Sequence, residues 1–219
     1  MPDQPVARIR PARRHPDLVA VTLGGGRRLL LQAGEVQGLG LIPGTVVDAA
    51  LEERLAALHE RTRAREAALR LLRYRPRSAV ELATRLRRHG FAAEVIDGVV
   101  NELCQKGLID DARFAHAWAE HRALGQTGPL KVRAELRAKG VAPALIEAAI
   151  RAVFAGQEAA LAAVLIDRHV RRLHGLPPEV QLRRLAGVLL RRGFSGAVVA
   201  SLLRRALDPR RRTGEEPSA

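Results

Sequence analysis

The sequence predicts a mainly α-helical fold, an elongated tandem array of three three-helix repeats preceded by a small antiparallel β element. Three observations lead there. The chain is rich in Ala, Leu, Arg and Glu and only 3% aromatic, so aliphatic side chains must fill its core and its segments favour helix. From residue 51 onward, Gly and Pro interrupt apolar runs of helical period. Three basic stretches end in Gly plus an apolar residue: RLRRHGF at 85–91, ELRAKGV at 135–141 and LLRRGF at 189–194.

Residues 1–50 differ from the rest of the chain. VARIRPA and LVAVTL are short β-type runs, separated by Arg13, Arg14, His15, Pro16 and Asp17. The GGG at 24–26 marks a turn before RRLLLQ, a helical turn is expected near Glu35–Leu39, and TVVDAA offers one more strand after GLIPG. So few strands are marginal alone, and residues 51–74 supply a helix for them to lean on.

The helices come in order. Ser78 with Glu81 reads as a capping box opening a helix that stops at Gly90. The next spans about Ala92 to Lys106 and stops at Gly107. Asp110 then caps a helix bearing Phe114 and Trp118, with Ile109 and Phe114 placed as a hydrophobic staple. Superposing Gly90, Gly140 and Gly193 exposes the repeat. Leu82, Val132 and Leu185 then coincide, as do Leu86, Leu136 and Leu189. Beyond the glycine the matches are Phe91, Val141 and Phe194, then Val95, Leu145 and Val198, then Val100, Ile150 and Leu203. The unit is helix, helix, Gly turn, helix. The organisation read from it is a β extension over 1–50, repeats over 51–107, 108–155 and 156–207, and a disordered tail over 208–219.

The net charge of +14 resides in 61–207, because residues 1–60 balance seven basic against seven acidic side chains and the tail three against three. Such a field attracts phosphates or an acidic protein surface. Of the 37 basic residues 34 are Arg, which suits bidentate contact with phosphate or carboxylate; base composition of the gene is an equally good source of that preference. The last turns before the glycines carry Arg87, Arg88 and His89, then Arg137 and Lys139, then Arg191 and Arg192. The helix dipole alone recruits cations there, at about 0.3–1 kcal/mol each, yet their recurrence would also lay a basic stripe along an array.

No catalytic site, metal site or cofactor is read from the sequence. Its seven His are scattered, a single Cys precludes a zinc cluster of the usual spacing, and His116 and His121 lie five apart instead of four. The GGG is not followed by G-K-[ST]. Asp110 reads as an N-cap and Asp111 as negative charge in a first turn, not as an acid/base dyad. Cys104 reads as a small core hydrophobe, and Phe114 and Trp118 as core. Tyr74, in RYRPRS, is either an aromatic set in a phosphate-binding patch or a packed ring at a solvated turn. Three-helix units also resemble helix–turn–helix readers, but the third helix of the first repeat carries Glu94, Asp97, Asn101 and Glu102 and makes a poor recognition helix beside phosphates. No apolar run approaches a membrane span and no signal peptide is read, so the chain is expected in the cytoplasm.

The stretches RPRSAVELATRLRRHGF, NELCQKGLIDDARFAHAWAEHRALGQTGPLKVRAELRAKGV and LAGVLLRRGFSGAVVASLL together resemble the RecX family of bacterial recombination regulators. The matching pieces are a basic-Ser-x-x-Glu-Leu helix, Gly107–Ala115, Arg122, and Gly128–Val141, with Lys131 at a place that family often fills with Arg. The resemblance implies a non-enzymatic modulator that binds the RecA filament on single-stranded DNA and lowers its assembly, ATP hydrolysis and strand exchange, in recombination, DNA repair and the SOS response. The chain is expected to act as a monomer with no membrane partner. Arg73, Arg75, Arg77, Arg87, Arg88, Arg122, Lys131 and Arg133 are the candidate contacts to recombinase or DNA. The rival readings are a general DNA-binding helical protein on duplex or single strands, and a hydrolase or nuclease with an unrecognised site.

Overall fold

The computed structural model describes residues 4–12 and 15–207; the tail expected at 208–219 lies outside the described residues. Among these, β1 (Gln4–Ala12), β2 (His15–Leu23) and β3 (Arg28–Gln32) precede α1 (Ala33–Gly38) and β4 (Val46–Val47). The strands form one antiparallel sheet in the order β3-β2-β1-β4. Alternation decides its inner face: Val21, Leu23, Leu29 and Leu31 are buried, together with Val6 on β1. α2 (Ala49–Tyr74) starts behind Asp48, whose side chain accepts from the Leu51 N–H, and presents Leu51, Leu55 and Leu58 to that face. His59 on the same helix accepts the Leu30 N–H of edge strand β3 through Nδ1 at 2.8 Å, so the edge is partly covered.

Nine helices come after α1 among the described residues: α2, then α3 (Ala79–Arg88) and α4 (Ala93–Gln105), then α5 (Asp111–Leu124), α6 (Pro129–Ala138) and α7 (Pro143–Phe154), then α8 (Glu158–Val170), α9 (Pro178–Arg192) and α10 (Gly196–Leu207). No single one is long and apolar enough to cross a membrane. The chain forms two compact units. The first runs through Arg77 and again from Glu81 to Ile109; the second takes Ser78–Val80 and the chain from Asp110 onward.

In the first unit, Leu82, Leu86, Ile96, Val99 and Leu103 are fully buried. Cys104 corrects its sequence reading: it is exposed, because Leu103 takes the inward position and the next residue turns about 100° away around α4. Glu102 clamps α2 to α4. It accepts from Arg61 at 3.0 Å and Lys106 at 2.6 Å, and lies 3.1 Å from Arg65 Nε. Burial pushes this carboxyl up, but the Lys106 and Arg61 hydrogen bonds and the Lys106 and Arg65 charges outweigh burial and hold it below the ordinary value. A depressed folded-state carboxyl stabilises fully above the unfolded group's titration and loses that stabilisation as pH falls through the folded value. Glu102→Gln is therefore expected to cost about 1–2 kcal/mol in urea unfolding at pH 7 followed by far-UV circular dichroism, and the gap from the parent protein should close in acid.

In the second unit, α5, α6 and α7 enclose Phe114, Ala115, Ala119, Val132, Leu136, Ile146 and Ile150, while α8, α9 and α10 enclose Leu165, Leu189, Phe194 and Val199. Leu161 packs against both clusters. The recurring glycines do more here than stop a helix. Gly193, at φ 86°, receives the start of α6: Gly128 N–H donates to the Arg192 carbonyl at 2.8 Å and Leu130 N–H to the Gly193 carbonyl at 3.0 Å. Gly140, at φ 74°, receives the start of α3, where Ser78 Oγ donates to the Lys139 carbonyl at 2.6 Å. A Cβ on Gly193 would fall within 3.0 Å of Lys131, and one on Gly140 within 3.0 Å of Val80. Ser78 and Gly128 hold the same place in their repeats, as do Lys139 and Arg192, so both joints use one device.

Candidate nucleic-acid interface

Pro76 shapes the basic turn of the first unit. A residue before proline avoids the helical region, and Arg75 is extended at φ −161°, ψ 156°, which ends α2 at Tyr74. The break leaves the Tyr74 side chain in solvent, 85% exposed. The ring is therefore not packed, contrary to one of the two sequence readings.

Around it the candidate cations divide by whether the fold already uses them. Arg73 is exposed. Arg75 grips Glu81 through both Nη atoms, at 3.2 and 3.3 Å. Arg77 is redirected by the structure: it is only 8% exposed, and its Nε donates to the Leu71 carbonyl, one of the acceptors orphaned at the end of α2. Burial, then the charges of Arg75 and Arg85, pull its pKa below the ordinary value against the opposing pull of Glu81 and Tyr74. A guanidinium so enclosed still carries its charge, but its role is to tie the turn together. Arg87 and Arg88 occupy the exposed last turn of α3 and make no ion pair among the described residues.

The second unit consumes more of its cations. Arg122 Nη2 donates to Glu135 Oε1 at 2.6 Å while Trp118 Nε1 donates to Glu135 Oε2 at 2.9 Å. Arg133 forms a two-pronged pair with Glu147, at 2.7 and 2.8 Å. That bond raises the arginine and lowers the carboxylate, as a tight pair must. Lys131 is exposed, with its backbone against the Gly193 turn. The cations before the glycines are not equivalent either. Lys139 Nζ lies 4.1 Å above the Trp118 ring, and Arg192, though exposed, donates through Nη1 to the Gly125 carbonyl at 3.0 Å, whereas exposed Arg137 and Arg191 make no hydrogen bond or ion pair among the described residues.

Asp111 also has a contact that sequence did not disclose. Its Oδ1 accepts the Ala79 N–H at 2.9 Å, so it caps α3 from the start of α5 while Asp110 caps α5 itself by accepting from Arg113 N–H. Arg70 and Arg85 are exposed as well; Arg85 opens RLRRHGF but stands outside the last-turn cations read from it, and no motif marks Arg70. In sequence Arg70 is visible only as a polar position opposite its helix's apolar stripe.

Two family models match the chain: "RecX, first three-helix domain" over residues 64–103 and "RecX, second three-helix domain" over residues 110–150. Among curated proteins, the regulatory protein RecX of Thermobifida fusca is 39% identical over 147 residues, covering 67% of this chain and 80% of the relative. That of Streptomyces coelicolor is 39% identical over 146 residues, covering 66% and 78%. Two solved structures share the fold. A crystal structure of regulatory protein RecX superposes with a TM-score of 0.75 at 22% identity, over 89% of this chain and 96% of that one. RecX from Lactobacillus salivarius does so with a TM-score of 0.63 at 21% identity, over 68% and 97%.

Proposed function

The chain belongs to the RecX family of regulatory proteins, and from that premise we propose that it binds the RecA filament on single-stranded DNA as a monomer and lowers its assembly, ATP hydrolysis and strand exchange. The observation that carries the reading is the set of exposed cations left over after the fold has used its own. Arg73, Arg87 and Arg88 on the first unit and Lys131 on the second stand unpaired among the described residues, beside arginines that are held by carboxylates or carbonyls. Unpaired exposed cations need not be withdrawn from an internal partner, so their full attraction is available to an anionic nucleoprotein surface.

The mechanism is steric and electrostatic. A helical protein seated on neighbouring recombinase subunits blocks their addition, exchange and cycling without any bond being made or broken. Arg75, Arg77, Arg122 and Arg133 act as positioning residues in this scheme, since each holds a turn or a helix pair in place. Duplex reading by a recognition helix is the weaker alternative. α4 exposes Glu94 and Asp97, which repel phosphates.

The test is a titration of the protein, well below DNA saturation, into recombinase hydrolysing ATP on single-stranded DNA. A dose-dependent fall in hydrolysis is expected. An unchanged rate would overturn the proposal, and tight duplex binding with a steep salt dependence alongside that unchanged rate would establish the general DNA-binding alternative.

A further inference from the structure

We infer that Tyr74 is a stacking platform for an unpaired nucleobase, so that the first unit itself holds single-stranded DNA, with the exposed neighbour Arg73 receiving an adjoining phosphate. This deepens the function proposed above and rests on it.

The aromatic residues separate cleanly. Phe114, Phe154 and Phe194 are buried, Trp118 is roofed by Lys139, and Phe91 lies under Arg63 at 5.9 Å. Tyr74 is the chain's one tyrosine and is 85% exposed; no ring or guanidinium stacks on it among the described residues. Its neighbours are nevertheless guanidinium groups. Arg73 and Arg75 flank it in sequence, and Arg77 lies three residues on, its Nε tied back to the Leu71 carbonyl of the same helix end. An arginine next to a bare ring would ordinarily lie on its face. Here Glu81 holds Arg75 through both Nη atoms, and the Leu71 carbonyl holds Arg77, so the ring stays open.

An exposed aromatic face amid cations suits one ligand chemistry: flat apolar rings strung on an anionic chain. A single strand offers that, because its bases are free to leave their neighbours. Duplex DNA does not, because both faces of every internal base are already stacked. The projection of Tyr74 is also built in. It stems from Pro76, which ends the helix at this residue, so the ring is presented from a rigid helix end.

The experiment measures binding of the full chain to a fluorescent oligothymidylate by anisotropy, across a range of salt, beside the recombinase ATPase titration with the same preparations. Tyr74→Ala is expected to weaken oligothymidylate binding about 5- to 150-fold. Tyr74→Phe should bind within about 2-fold of the parent, since the face and not the hydroxyl makes the contact. The slope of log K against log salt should be unchanged in Tyr74→Ala, because no phosphate contact is lost. An abasic oligomer should bind the parent and Tyr74→Ala equally. The inference is overturned if the parent does not bind oligothymidylate, if Tyr74→Ala binds like the parent, or if Tyr74→Phe is as weak as Tyr74→Ala. It is also overturned if Tyr74→Ala loses ATPase inhibition with oligothymidylate binding intact, which would make the ring a contact to the recombinase. A parent protein that inhibits ATP hydrolysis while Tyr74→Ala binds DNA normally sinks this inference alone. One that binds through Tyr74 without inhibiting sinks the proposed function and leaves the platform standing.

Discussion

Gly193→Ala is expected to destabilise the second unit by at least about 3 kcal/mol, against about 1 kcal/mol for Gly90→Ala in the first. Both residues have left-handed backbones, at φ 86° and 84°, so the conformational penalty for alanine is the same. The surroundings differ. A Cβ on Gly90 meets nothing within 4 Å, whereas one on Gly193 meets the Lys131 backbone at the first turn of α6, which two hydrogen bonds hold in place. Gly128→Ala isolates the steric part. Gly128 has an ordinary φ of −76°, yet its Cβ would overlap the Gly193 carbonyl group. It should cost at least about 2 kcal/mol although nothing about its backbone requires glycine. Urea unfolding followed by Trp118 fluorescence reads the second unit directly, and circular dichroism reads Gly90→Ala. Equal losses for Gly90→Ala and Gly193→Ala would mean that the joint adds nothing to an ordinary helix stop.

This contrast explains which parts of the fold were legible in the sequence. A glycine after a basic last turn, with an apolar residue behind it, is a local signal. Left-handed closure and the 3.6-residue apolar stripe act within a few residues, so the helices around Gly90, Gly140 and Gly193 could be placed by inspection. The β runs before residue 50 were visible for the same reason, through alternation and the GGG turn. What the joint demands is not local. By sequence Ser78 marks only a helix opening, but its hydroxyl reaches the Lys139 carbonyl 61 residues away. Gly128 stands in the sequence only as the first residue of the matching stretch Gly128–Val141, with no sign that a turn packs against it, and Asp111 reads as first-turn charge although it caps a helix 32 residues earlier in the chain. Cys104 is exposed although its sequence position suggests core, because two adjacent positions on an amphipathic helix differ by about a third of a turn, and an apolar side chain at the boundary reads as inward.

The candidate interface was legible as charge but not as availability. Sequence counts cations; only geometry tells which ones are spoken for. Arg122 and Arg133 look as exposed as Arg87 in a helical reading, yet their partners Glu135 and Glu147 sit 13 and 14 residues away, beyond any i, i+4 rule. Arg77 is the sharpest case, since Pro76 two residues after Tyr74 turns the chain back so that the guanidinium caps the helix it has just left. The recurrence of cations before the glycines likewise hid two different roles. Lys139 and Arg192 secure the second unit, while Arg87 and Arg88 remain free among the described residues.

Charge reversal at Arg87 and Arg88 together should therefore separate binding from folding more sharply than at any other candidate pair. Both side chains lie in solvent on the last turn of α3, so a guanidinium lost there leaves no buried partner behind. Among the described residues the helix dipole is the one structural interaction forfeited, at about 0.3–1 kcal/mol per residue, and an Arg87→Gln, Arg88→Gln variant limits even that. If both groups meet phosphates, each removes about 0.7 from the slope of log K against log salt on a single strand, so the neutral double variant should lose roughly 1.4 in slope and at least about 10-fold in affinity for the filament. The reversed variant, Arg87→Glu with Arg88→Glu, should fall further and leave ATP hydrolysis by the recombinase uninhibited at concentrations where the parent suppresses it. Arg133→Gln is the matched control. It should unsettle α6 against α7 by releasing Glu147, and change filament binding only as far as it changes stability. A circular dichroism melt distinguishes the cases. Unchanged melting with lost inhibition places Arg87 and Arg88 at the partner surface; a lowered melting temperature with inhibition surviving at low temperature assigns them to the fold instead.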